Sequence, residues 1–206
     1  MSGWIKICGI NSEQAVSAAV AAGVDAIGFV FHPASPRHVE PFVAALLASA
    51  VPPGVLCIAV TRHPSQQTLE DIFDAFEPDA LQTDAEDFAQ LLLPSGIAPL
   101  PVLRTGAWLP ATLPARCLYE SAQSGRGELA DWEAARYLAG RTELILAGGL
   151  SADNVAEAIG RARPFGVDVS SGVEAAPGRK DPDRIRKFVT AARAAFRASA
   201  AANLLE

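Results

Sequence analysis

The sequence is short of cysteine, of basic residues and of long apolar runs, and each shortage excludes something. Its three cysteines, Cys8, Cys57 and Cys117, are too few and too scattered to close a disulfide framework, and they have no metal-ligand spacing. Reduced thiols point to a cytoplasmic protein. Lys and Arg number 17 against 23 Asp and Glu, a net charge of -6, so the basic face that nucleic-acid binding needs is missing. An anionic small molecule stays possible, because local donors decide that. No apolar run reaches the roughly 18 residues of a membrane span. The start, Met1-Ser2-Gly3-Trp4-Ile5-Lys6, lacks the basic opening and apolar stretch of an export signal. What is present is a chain of 206 residues, half of them apolar and 19% charged. That composition is globular rather than disordered, and the length suffices for a core without disulfides or metals.

Short, nearly continuous apolar runs alternate with segments of helical spacing. The runs fall at residues 4–8, 26–31, 55–60, 80–82, 100–103, 117–120, 144–147 and 167–170. Unbroken apolar character is what parallel strands covered by helices show. Asn11 with Gln14 resembles a capping box and Gly23 a left-handed stop. Ser151 is placed to cap a helix over 152–159, and Asp181-Pro182 to open the last one. Eight strands, seven crossovers and a final helix predict a (β/α)8 barrel, at the small end for that fold. The rival, an open doubly wound sheet, would carry a glycine-rich phosphate fingerprint after the first strand, and Cys8-Gly9-Ile10-Asn11 is not one. The expected domain is a single barrel over 1–190, with 191–206 the end of the last helix and a tail. Leu205 and Glu206 are excluded from functional reasoning.

In such a barrel the chemistry belongs at the C-terminal strand ends. Lys6 and Cys8 share a strand face. If Ile5 and Ile7 face the helices, both point into the barrel mouth, where an ammonium would lower the thiol pKa and make it a base or nucleophile. A buried inert thiol is the other reading, and it is the expectation for Cys57 and Cys117. After the second strand, Pro33 and Pro36 restrict the loop that carries Arg37. Its guanidinium there suits a carboxylate or phosphate, unless it is simply a surface residue beside a turn. Glu120 ends the sixth strand on the face of Leu118, before the loop Ser124-Gly125-Arg126-Gly127. A lone carboxylate there is either an acid or a solvated loop residue. Gly148-Gly149 after strand seven and Asp168-Val169-Ser170-Ser171-Gly172 at strand eight occupy the usual phosphate position of a barrel.

Lys6-Ile7-Cys8-Gly9-Ile10, Gly28-Phe29-Val30-Phe31 with Ser35-Pro36-Arg37, Ala147-Gly148-Gly149-Leu150 with Asn154-Val155, Val167 through Glu174, and Pro177-Gly178-Arg179-Lys180-Asp181 together resemble the phosphoribosylanthranilate isomerases. The resemblance runs in order from Lys6 to about Val189. It implies an Amadori rearrangement in tryptophan biosynthesis, converting N-(5'-phosphoribosyl)anthranilate to 1-(2-carboxyphenylamino)-1-deoxyribulose 5-phosphate without metal or organic cofactor. It further implies Cys8 as general base on C2' and a carboxylic acid at the end of strand six as general acid. Arg37 would bind the anthranilate carboxylate, and Gly148, Gly149, Ser170, Ser171 and Gly172 the phosphate. Asp168 would face the site, and Lys6 would join the ligand pocket. The partner is thus a small molecule bearing phosphate and carboxylate, with no nucleic acid or membrane, and the chain a monomer or homodimer.

Two positions depart from the family pattern. Glu120 stands where aspartate is usual, aligned through Asp131-Trp132, and is longer by one methylene. Asp84, in Gln82-Thr83-Asp84-Ala85, stands where a histidine contacts the anthranilate side. A carboxylate there would repel a bound carboxylate unless Arg37, Arg62 or another cation intervened. The alternatives are a catalytically impaired or non-catalytic phosphate-ligand-binding paralogue, and a related sugar-phosphate isomerase. The latter usually pairs aspartates at the ends of strands one and five, where this chain has Cys8 and Arg104.

Overall fold

The computed structural model describes residues 3–107, 109–122 and 127–202. Ser124, Gly125, Arg126, Leu205 and Glu206, named above, lie outside them. Eight parallel strands close into a barrel in sequence order: β1 Trp4–Cys8, β2 Ala26–Val30, β3 Leu56–Val60, β4 Ala80–Asp84, β5 Ala98–Arg104, β6 Arg116–Glu120, β7 Glu143–Leu146 and β8 Gly166–Val169. Strand β1 pairs β2 on one side and β8 on the other. The eight strands expected from the apolar runs are all there.

The helices differ from expectation in number. α1 Glu13–Ala22, α2 Pro41–Ala48, α3 Gln66–Ala75, α4 Trp132–Ala139, α5 Val155–Ala162 and α6 Pro182–Ala202 surround the barrel. Between β4 and β5 there is only a 3-10 segment, Ala85–Ala89, and between β5 and β6 the described residues hold no helix. Pro94 with Gly96, then Gly106, Pro110 and Pro114, explain this: prolines remove helical donors and clash with the preceding turn. A small hairpin, β9 Glu174–Ala176 with β10 Arg179–Lys180, follows β8.

Local chemistry sets the helix ends. Ser12, not Asn11, caps α1 by accepting from the Ala15 amide at 3.3 Å. Asn11 instead donates to the Gly178 carbonyl at 2.8 Å, tying the loop after β1 to the hairpin turn. Gly23 ends the helix at φ +79, as expected. Asp181 accepts from the amides of Asp183 and Arg184. α5 starts at Val155 rather than 152, because Ser151 and Asn154 are spent on a turn: the Ser151 backbone amide donates to Asn154 Oδ1 at 2.8 Å and Asn154 Nδ2 to the Gly149 carbonyl at 2.9 Å. α6 continues well past residue 191, with Ala192 and Phe196 buried.

The core has two parts. Ile5, Ile7, Ile27, Phe29, Leu81 and Leu103 pack outward against the helices. Ala26, Ile58, Leu100, Val102, Leu118 and Ile145 fill the barrel. The alternation therefore points Lys6, Cys8 and Glu120 inward, as the strand pattern requires.

Candidate active site

Lys6 is fully buried inside the barrel and donates from Nζ to Asp168 Oδ1 at 2.9 Å. A Cβ at residue 28 would lie 3.0 Å from both Lys6 Cε and Nζ, so Gly28 makes room for this side chain. Burial opposes the charge on Lys6, but Asp168, helped by Cys8, outweighs it and holds the ammonium above its ordinary range. Burial decides the opposite way at Cys8. It pushes the thiol up, Asp168 adds to the rise, and the pull of Lys6 and Lys180 does not cancel it. The expectation of a thiol lowered by its ammonium neighbour is corrected on this point: inside the closed barrel, desolvation outweighs the cation. Cys57 and Cys117 are buried core thiols pushed up to about 11, as expected for inert residues.

Arg37 reaches the mouth but meets a partner the sequence reading overlooked. Its Nε donates to Glu174 Oε1 at 2.7 Å and its Nη2 to Glu174 Oε2 at 2.8 Å, in a buried fork-to-fork pair. Gly9, at φ +78, permits the approach, since a Cβ there would sit 2.6 Å from Arg37 Cδ. Lys180, also buried, donates to Glu174 Oε1 at 2.9 Å and to the Ser170 carbonyl at 3.0 Å. The Ser170 hydroxyl donates in turn to the Cys8 carbonyl at 3.0 Å. Burial opposes ionisation of Glu174, but Arg37 and Lys180 outweigh it and hold the carboxyl below its ordinary range. For Lys180, burial wins over the attraction of Glu174 and Cys8 and lowers the ammonium. Both residues lie in motifs already quoted, but nothing in their spacing says that they meet Arg37.

At the ends of β4, β5 and β6 two carboxylates meet one guanidinium. Arg104 Nε donates to Asp84 Oδ1 at 2.6 Å, and Arg104 Nη1 to Glu120 Oε1 at 2.5 Å. The cation beside Asp84 is therefore Arg104, neither Arg37 nor Arg62, whose side chain is exposed. His63, in the left-handed region at φ +46, also borders Asp84. Its Nδ1 lies 2.9 Å from Asp87 Oδ1 and its Nε2 3.4 Å from Asp84 Oδ2. The hydrogen bond to Asp87 raises the imidazole pKa.

Glu120, Asp168, Gly148, Gly149, Ser170 and Ser171 line one small concavity, with Gly127 and Glu128 at its edge. Gly148 and Gly149 adopt φ +88 and +63, and a Cβ on either would come within 3 Å of the backbone of Ser121, Gly127 or Glu128. Gly172 lies behind this wall, against the Leu150 carbonyl. A larger hollow, lined by Trp4, Phe165 and Phe196, opens at the opposite end of the barrel and contains none of these residues. Among the described residues no helix is long and apolar enough to cross a membrane.

The comparisons agree with this geometry. The family model described as N-(5'phosphoribosyl)anthranilate (PRA) isomerase matches residues 5–191. An N-(5'-phosphoribosyl)anthranilate isomerase of Bordetella petrii is 39% identical, over 93% of this chain and 95% of that one. The one from Rhodopseudomonas palustris is 38% identical, over 92% and 95%. Among solved structures, TrpF from Jonesia denitrificans superposes with a TM-score of 0.79 at 34% identity, covering 94% of this chain and 98% of that one. A phosphoribosyl anthranilate isomerase in complex with reduced 1-(o-carboxyphenylamino)-1-deoxyribulose 5-phosphate gives 0.77 at 28% identity, over 93% and 99%. The match extends over the whole barrel and over both ends of the inward-facing site, from β1 to the hairpin after β8: the chain belongs to the N-(5'-phosphoribosyl)anthranilate isomerase family.

Proposed function

We propose that this chain catalyses the Amadori rearrangement of N-(5'-phosphoribosyl)anthranilate to 1-(2-carboxyphenylamino)-1-deoxyribulose 5-phosphate, with Glu120 as general acid and Cys8 as general base. The observation that supports it best is the meeting of an inward-facing carboxyl, an inward-facing thiol and two glycine- and serine-rich turns at one end of the barrel. Glu120 gives its proton to the furanose ring oxygen as the C1'–O bond breaks. The anthranilate nitrogen supplies the electron pair, leaving an iminium. Cys8, as thiolate, removes the C2' proton, and those electrons neutralise the iminium to an enolamine. C1' then takes up a proton as the C2' hydroxyl loses one, and the O–H electron pair becomes the C2'=O bond of the ketose. The acid and base must hold opposite protonation states, which requires different surroundings. Lys6 and Lys180 favour the Cys8 thiolate against the burial that raises the thiol in the ligand-free chain, whereas Glu120 faces a guanidinium shared with a second carboxylate.

The phosphate goes to Gly148, Gly149, Ser170 and Ser171, where backbone N–H groups can approach it, with Gly172 shaping the wall. Arg37, held rigid by Glu174, takes the anthranilate carboxylate with its remaining donors. Lys6 and Asp168 fix the floor, and Asp84 borders the anthranilate end. The catalytic unit is the barrel over 1–190. Turnover of freshly prepared substrate tests the reading: wild type converts it, and Cys8→Ala and Glu120→Gln each lose most of the rate. Calorimetric binding of a product analogue with no turnover by the wild type would show a binding protein instead.

A further inference from the structure

Asp84 and Glu120 lie on different strands and are 36 residues apart in sequence. In the folded chain they touch the same side chain. Asp84 and Arg104 lie on neighbouring strands, with Asp84 level with Val102, two residues before Arg104 on the same inward face. Arg104 is level with Glu120 on β6. The guanidinium therefore lies diagonally between the two carboxylates, 2.6 Å from one and 2.5 Å from the other. The main chain around it is also pinned: the Thr105 amide donates to the Glu120 carbonyl at 2.9 Å, and the Thr105 hydroxyl to the same oxygen at 3.1 Å.

We infer that Arg104 is a positioning residue for Glu120, and that Asp84 is the anchor that sets where Arg104 sits and how much of its charge Glu120 feels. This inference rests on the isomerase reading and assigns a role to residues that reading leaves without one. A glutamate reaches further than an aspartate, so it needs a fixed partner to keep its carboxyl in one place; a misplacement of about 1 Å costs on the order of 10²-fold. Arg104 supplies that partner through a rigid planar fork. A guanidinium facing Glu120 alone would favour the carboxylate, which cannot donate a proton. Asp84, 97% buried on the far side, takes half of the fork and so divides that charge between two carboxylates. An aspartate at 84 and a glutamate at 120 thus act together through one arginine.

Other charges face the same row. His63 and Asp87 border Asp84, Asp168 and Glu128 line the concavity beside Glu120, and Tyr119 with Asp131 lies on the outer side of β6. They are the same in every variant below, so differences between variants report the row itself.

The experiment is a 13C-carboxyl NMR titration of Glu120 in wild type, Asp84→Asn and Arg104→Gln, with the pH dependence of kcat measured on the same samples. Removing Asp84's charge leaves Arg104 acting on Glu120 without the competing carboxylate, so the Glu120 midpoint falls by about one unit. The alkaline limb of kcat, where a general acid loses its proton, moves down with it. Removing Arg104 leaves Glu120 near Asp84's charge, so midpoint and limb move up by about one unit. Opposite shifts are something a merely structural role would not produce. Arg104→Lys restores the direction of the midpoint but not kcat, because a point charge cannot hold both carboxylates. Glu120→Asp, which retracts the carboxyl from the fork, lowers kcat about tenfold or more with little change in KM. Glu120 midpoints that stay within a few tenths of a unit in both variants, with normal wild-type turnover, would overturn the inference alone. Opposite midpoint shifts with no wild-type turnover would overturn the isomerase reading and leave the charge row standing.

Discussion

Arg37 and Glu174 are joined by two parallel hydrogen bonds, Nε to Oε1 at 2.7 Å and Nη2 to Oε2 at 2.8 Å, and both side chains are at least nine-tenths buried. The arginine expected to greet the ligand is thus already held in orientation by the chain itself. Its guanidinium is presented as a fixed edge rather than a flexible arm, which reduces the ordering cost of binding. Lys180 closes the arrangement on Glu174 Oε1, the same oxygen that Arg37 Nε meets, at 2.9 Å.

Glu174→Ala strands Arg37 and Lys180 in a buried site, and the expected loss is about 3–5 kcal/mol of stability, read by urea denaturation. Glu174→Gln should cost less, because it keeps the shape and some of the bonds. The folded-state pKa of Glu174 is depressed below its ordinary 4.5. Its contribution is therefore present above about pH 4.5 and lost as pH falls through the folded value. Acid unfolding curves should show a steeper pH dependence below that point in the wild type than in Glu174→Gln.

The Lys6–Asp168 pair inside the barrel behaves with the opposite sign. Lys6 is raised above 10.5 in the folded chain, so its stabilisation is complete below that pH and lost as pH rises through the folded value. Asp168→Ala, which leaves an ammonium without its carboxylate, should destabilise by about 3–5 kcal/mol. Lys6→Met combined with Asp168→Leu should recover much of that loss. A double-mutant cycle in urea at neutral pH measures the coupling, and additive losses would show that the pair is not coupled.

Cys8 should titrate above the ordinary 9.0 of a thiol in the ligand-free chain, because burial outweighs its two ammonium neighbours. The difference in thiolate absorbance near 240 nm between wild type and Cys8→Ser isolates it from Cys57 and Cys117. Lys6→Met removes one of the two lowering charges and should move the midpoint further up. A base must lose its proton to act, so the acid limb of kcat/KM should follow the same direction.

Glu120→Gln keeps the size of the side chain and removes the donated proton. The expected result is a fall in kcat on the order of 10²–10⁴-fold with KM little changed. Complementation of a tryptophan auxotroph lacking this step should fail with this variant and with Cys8→Ala. Full-rate turnover by Glu120→Gln would remove Glu120 from the acid role.

His63 is half exposed, and its bond to Asp87 raises its pKa above 6.5. A proton NMR titration should place the imidazole midpoint above that value, and Asp87→Asn should lower it. The ion pairing is therefore present below about pH 6.5 and fades as pH rises through the folded value.

Much of the barrel is readable in one dimension because each strand carries its own signal: a short apolar run with two faces of known sense. That periodicity is enough to place Lys6, Cys8 and Glu120 inside and Ile5 and Ile7 outside. The helices are less legible where the chain substitutes prolines for periodicity, as between β5 and β6. Caps shift by a residue or more, as from Asn11 to Ser12, because which polar side chain is free to cap depends on where its neighbours are drawn: Asn11 is drawn to Gly178.

The site divides along the same line. Lys6, Cys8, the double glycine and the Asp168–Gly172 run are contiguous motifs at strand ends, and local sequence alone determined them, as it determined the closed parallel barrel. Glu174 facing Arg37, Lys180 beneath it, and Arg104 between Asp84 and Glu120 are encounters between strands and loops far apart in the chain. Charge pairing has no periodicity and reaches only a few ångströms, so only the closed barrel decides which carboxylate meets which cation. Only there, too, does desolvation set the protonation of the thiol against the charges beside it.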